Sequence, residues 1–204
     1  MNTLYLKTLA SSVLVFVAVV SLVHNYAGGA ETGVPTQNER DSLLDGLPEF
    51  DAGNALLVPK NYREWVFVGS SLGLGYKPST ASNEGAFNHV YINPIGYRVF
   101  RETGSFPVGT VLILESVSRG EKTNPALSGS FAKDFIGLEA AVKTGDRFKD
   151  PWTYYNFYAE DRQRLSKVKR LTTDSCISCH RKHAETDHVF TQFYPVLRAV
   201  RPKE

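Results

Sequence analysis

The chain has 204 residues, a formal net charge of +2, two cysteines and a single methionine, Met1. A balance this near neutral excludes a protein that binds nucleic acid through bulk charge, and the length suffices for one domain with a real core. With its one methionine at position 1, the body of the chain offers no thioether ligand for a metal.

In chain order, Met1–Thr8 carries one positive charge at Lys7, and Leu9–Val23 is an uncharged apolar run that leads to the small residues Ala27-Gly28-Gly29-Ala30. That layout predicts residues 1–30 to be an export signal, or else an uncleaved N-terminal anchor, and so places the body of the protein in the periplasm. Residues 31–48 are polar, with Pro35, Gly46 and Pro48, and read as a linker with a short turn at Ser42–Leu44. The globular domain is expected over residues 49–204. Val66–Val68 reads as a strand entering Gly69, Gly73–Ala86 as a loop, and Phe87–Ile92 as a strand stopped by Asn93-Pro94. Ile95–Glu102 is the expected helix, with Tyr97, Phe100 and Arg101 on one face and Gly104 ending it.

Gly109–Val117 is nearly all apolar and predicts a strand covered on both faces. Ser118–Ser130 reads as a loop, Phe131–Val142 as a strand or bent ribbon, Lys143–Trp152 as a polar loop and Thr153–Tyr158 as an aromatic strand. Asp161–Arg170 admits a helix and carries Arg162, Arg164, Lys167, Lys169 and Arg170, a positive stretch suited to an acidic electron-transfer protein. Its plainer reading is a solvated face. Val189–Leu197 is apolar and aromatic, and Pro195 puts it at a sheet edge or outside the sheet. Several strands and few long helices predict an α+β fold, predominantly an antiparallel β-sheet domain.

Residues 176–180, Cys-Ile-Ser-Cys-His, carry the chemistry. Two thiols three positions apart, followed at once by histidine, form the attachment motif for one haem c: Cys176 and Cys179 for the vinyl groups and His180 for the iron. A redox disulfide, or half of a zinc site borrowing His183, remains the alternative. Among the other histidines, His183 and His188 lie too close in sequence to His180 to reach the far side of the iron. His89 alternates onto the strand face of Phe87 and Tyr91, opposite Asn88 and Val90. Five-coordinate iron with an open position is therefore expected, and with it the binding of a small ligand.

Several blocks of the chain resemble the cytochrome P-460 family. They are Leu57-Val58-Pro59-Lys60-Asn61-Tyr62-Arg63-Glu64-Trp65, Phe106 to Val111, Ile136-Gly137-Leu138-Glu139-Ala140, and Cys176–His180 with Thr186-Asp187 and Val189-Phe190-Thr191 through Arg198. The resemblance implies a β-rich domain, a homodimer, and one haem c with an open distal side. Members either oxidise hydroxylamine at a haem cross-linked to a lysine or, in the cytochrome c′-beta branch, bind nitric oxide at an apolar distal face. By this match Leu114 stands where the cross-linking lysine would be, no lysine occurs in Gly109–Val117, and Asn88 stands near an arginine of the P-460 enzymes. The c′-beta-like branch is thus the one resembled.

Leu114, Asn88, Phe87 and Phe131 are the expected distal-pocket residues, with Phe135 as a further aromatic. An apolar wall withholds the hydrogen bond on which dioxygen depends more than nitric oxide does. Glu139 lies in an otherwise apolar run and, if buried, would serve as acid/base toward hydroxylamine or peroxide, with Glu115 a weaker candidate.

Overall fold

The structure is a computed structural model that describes residue 44 and residues 46–75, 85–122, 126–172 and 174–203. The expected export segment 1–30, nearly all of the 31–48 linker and much of the Gly73–Ala86 loop lie outside the described residues. The described residues fall within the unit Asp41–Glu204. No helix among them is long and apolar enough to cross a membrane.

Five strands form one antiparallel sheet: β2 (Val66–Leu72), β3 (Phe87–Ile92), β4 (Val111–Lys122), β5 (Gly129–Lys143) and β6 (Trp152–Asn156). They neighbour one another in sequence order, β2-β3-β4-β5-β6. Each is therefore joined to the next without a crossover, as antiparallel pairing permits. A separate ribbon pairs β1 (Leu56–Leu57) with β7 (Lys167–Val168). Among the described residues, the helices α1 (Pro94–Thr103), α2 (Asp174–His183) and α3 (Pro195–Val200) complete the fold. The α+β expectation holds.

Strand periodicity distributes the side chains over two cores. On one face Val111, Ile113, Leu138, Ala140, Val142 and Tyr155 bury against Leu56, Tyr62, Trp65 and Phe157. On the other Val90, Ile92, Leu112 and Trp152 bury against Phe100 of α1, Leu197 of α3 and Val189. The central strand β4 is thus covered on both sides, with Val111 and Ile113 fully buried. This is why it reads as a continuous apolar run rather than an alternating one.

Helix α1 begins with Pro94, whose missing N–H costs nothing at that position, and ends at Gly104 with φ 73°, a left-handed conformation that suits glycine. The residue before it, Asn93, is fully buried. Its side-chain amide donates to the carbonyls of Gly46 (3.0 Å) and Gly109 (2.8 Å) and accepts from the Val111 N–H (3.0 Å). At Gly69 a Cβ would lie 3.1 Å from Pro195 and 3.2 Å from the Phe193 carbonyl. The bare backbone there lets the C-terminal segment close on β2.

Two expectations for local structure fail. Ser118–Ser130 is not one long loop, because β4 continues to Lys122 and β5 starts at Gly129. Register shifts between Ser116 and Val117 and between Val117 and Arg119 interrupt the alternation that sequence reading depends on. Asp161–Arg170 is not a helix either. Arg162 has φ 65°, Tyr158 bridges to Arg164, and Lys167–Val168 pair with β1. Tertiary pairing overrides a charge pattern that only permitted a helix.

Candidate functional site

In α2 the spacings i, i+3 and i+4 bring Cys176, Cys179 and His180 to one side of the helix. All three line a cavity of about 510 Å³ between α2 and the sheet, shared with Leu112, Leu114, Glu139 and Tyr154. A second cavity of about 540 Å³ adjoins it and also touches Leu114, Glu139 and Cys179. It extends toward Asn88, Ser116, His183 and Phe193. Each volume lies in the range of ~300–1,000 Å³ usual for cofactor sites.

The His180 ring is held from several directions. Its Nδ1 lies 2.8 Å from the His188 carbonyl oxygen. A carbonyl can only accept, so Nδ1 carries the proton and Nε2 keeps a lone pair for a metal. Tyr154 and Phe190 flank the ring, each with its centroid 4.5 Å away. Burial lowers the His180 pKa, opposed by the hydrogen bond to His188, and so favours the neutral imidazole that ligation requires.

The sheet wall is set by register. Val90 pairs with Leu114 and Leu114 with Glu139, so the three point to the same face in a row across β3, β4 and β5. Asn88 and Ser116 form the next row, with the Ser116 hydroxyl donating to Asn88 Oδ1 at 2.8 Å. The Asn88 amide in turn donates to the Leu74 carbonyl at 2.9 Å. Burial raises the Glu139 pKa. Tyr194, enclosed by protein at the same wall, has its pKa pushed up to about 12 by burial.

Three expected pocket aromatics fall elsewhere. Phe87 stacks on His89 on the opposite face of the sheet, where His89 Nδ1 lies 3.0 Å from the Ser70 hydroxyl. Alternation from Asn88 dictates this, since neighbouring strand residues cannot share a face. Phe131 pairs with Gly120 in the distal part of the β4–β5 hairpin, beyond the register shifts, and is exposed. Phe135 is also exposed, with Arg63 over its ring at 4.5 Å. Glu115 is buried on the closed face, accepting from the Tyr62 hydroxyl and paired with Arg63, so it has no access to the cavity. The aromatics that line the cavities include Tyr154, Phe190, Phe193 and Tyr194. Their signal was the aromatic density of residues 190–194 just after the motif, which reads as sheet-edge packing when taken alone.

The donor set fits a haem. Two thiols and a neutral imidazole open on one apolar cavity large enough for a macrocycle, and aromatic rings fix the imidazole. The family model for cytochrome P460 matches residues 59–191, and the chain belongs to that family. Membership makes it a haem-binding cytochrome. A search of curated proteins finds no match.

Proposed function

We propose that the protein is a periplasmic mono-haem c-type cytochrome with five-coordinate iron that binds nitric oxide or a similar small ligand. Cys176 and Cys179 would hold the haem covalently and His180 would be its iron ligand. The haem would supply an iron able to take up a small ligand. The observation that carries the reading is the sheet wall itself: Leu114, with Val90 beside it, faces the cavity that also receives His180. Leucine and valine offer no N–H or O–H, so this wall withholds the donor that would favour dioxygen. Leu114, which takes the place of the cross-linking lysine in the family resemblance, lines both cavities, and leucine has no nitrogen to bond to a haem carbon.

One observation favours a second reading, a haem oxidoreductase acting on hydroxylamine or peroxide. Glu139 lies in the cavity beside Leu114 with its pKa raised by burial, where it could hold and release a proton toward a bound substrate. The optical spectrum of the reduced protein, alone and with nitric oxide, separates the two. An ordinary high-spin c-type spectrum that changes on adding nitric oxide is expected. A strongly red-shifted Soret band would mean a modified macrocycle and overturn the first reading.

The homodimer implied by the family resemblance is proposed to form through the closed side of the sheet. There Phe67, Leu72 and Phe135 are exposed at 44%, 50% and 58%. Exposed apolar side chains gathered on one face favour a second copy as occupant. Sedimentation should give twice the chain mass, and Phe67→Glu should return the monomer.

A further inference from the structure

The turn that follows α2 touches His180 and is itself gripped by the sheet. Thr186 and Val189 bridge one another, with the Val189 N–H donating to the Thr186 carbonyl at 2.7 Å. Between them Asp187 has φ 45° and His188 φ 63°. Two successive left-handed residues define a type I′ turn, in which aspartate is favoured first and glycine second. Histidine in the glycine position is strained, so the surroundings must hold it there.

Asp187 supplies the hold. Its Oδ1 accepts from Trp152 Nε1 at 3.2 Å and its Oδ2 from Lys143 Nζ at 2.7 Å. Lys143 and Trp152 are cross-strand partners at the end of the β5–β6 pair. Lys143 Nζ also donates to the Phe106 carbonyl at 2.6 Å, and Trp152 is fully buried. The anchor therefore ties the turn to the sheet at two points, and the strained residue it holds is the one whose carbonyl meets His180 Nδ1 at 2.8 Å.

We propose that Asp187 is a positioning residue for the haem iron: by tying the Thr186–Val189 turn to the sheet end, it aims the His188 carbonyl at His180 Nδ1. The inference rests on the reading that His180 ligates the iron. A carbonyl accepting from Nδ1–H fixes the ring plane and makes Nε2 the stronger donor, which favours oxidised iron and lowers the reduction potential.

The test uses the haem-loaded protein, read by the iron–imidazole stretching band in resonance Raman and by the reduction potential. Asp187→Gly keeps a backbone suited to the turn but removes both anchors. It should move the band to lower frequency, broaden it and raise the potential. Asp187→Asn, which retains one acceptor oxygen, should fall between. His188→Ala keeps the carbonyl and should leave the band in place; a shift as large as that of Asp187→Gly would assign the effect to the His188 side chain and overturn the proposal. If Asp187→Gly does not fold, Lys143→Met removes one anchor and is read in the same way. Wild-type protein without covalent haem would defeat the proposed function itself. Attached haem with band and potential unmoved in the anchor variants would defeat only this inference.

Discussion

The two faces of the five-stranded sheet use similar residues for opposite ends, and the acids Glu115 and Glu139 show how. They lie on neighbouring positions of the β4–β5 pair, where Leu114 faces Glu139 and Glu115 faces Leu138. One residue of offset sends them to different faces. On the closed face Glu115 is only 4% exposed, but its Oε2 accepts from both Arg63 and the Tyr62 hydroxyl. On the cavity face Glu139 is half-buried at a largely apolar wall, and that burial raises its pKa. A buried acid with a cation beside it serves structure. One left against a cavity is available for proton transfer.

The sharpest way to break this contrast is to truncate a large side chain on each face. Tyr155 is fully buried on the closed face, and Tyr155→Ala should cost about 3–5 kcal/mol in denaturant unfolding. Leu114 already borders the cavity, so Leu114→Ala should stay below about 2 kcal/mol, the low end for such a truncation. Equal losses would mean that the cavity face is as tightly packed as the closed one.

A smaller effect is expected from Glu139→Gln. Because the folded-state pKa of Glu139 is raised, the folded chain holds this proton more firmly than the unfolded chain does. The stability it contributes is complete below the ordinary glutamate value and is lost as pH rises through its own raised value. The variant should lack that fall, so unfolding midpoints of the two proteins should diverge between mildly acid and neutral pH, with the variant the more stable at neutral pH. Parallel profiles would place Glu139 in contact with water.

The smallest effect concerns the basic stretch ahead of α2. Lys167 is ion-paired with Asp51 at 2.8 Å and Arg170 lies 5.3 Å from the Phe148 ring, while Arg162, Arg164 and Lys169 are exposed. Leu171, next along the chain, lines the cavity with Cys176. We propose that an acidic electron donor, if it is the partner, would be steered toward this stretch, with a rate of reduction that falls as salt screens the charges. Lys169→Glu should slow that rate a few-fold at low salt and flatten its salt dependence in stopped flow; an unchanged salt slope would exclude docking there.

The Cys-Ile-Ser-Cys-His motif and the order of the main strands were legible in the sequence because each depends on short-range information. Cys176, Cys179 and His180 are set by their spacing alone, Phe87–Ile92 by its alternation and its stop at Asn93-Pro94, and the first half of β4 by an apolar run. Register decided the rest. Leu114, Asn88 and Glu139 share the cavity because cross-strand pairing aligns them, while Phe87, one residue from Asn88, is turned away. The β-bulges shift the outer hairpin and take Phe131 out of reach. The segment Asp161–Arg170 is drawn into pairing with β1 by residues more than a hundred positions earlier, which no local pattern could announce. Tyr154, Phe190 and the hold of Asp187 on the His180 side of the cavity arise where the end of β6, α2 and the following turn converge. A sequence shows which residues can ligate iron; only tertiary packing brings together the groups that orient them, since those groups lie far apart along the chain.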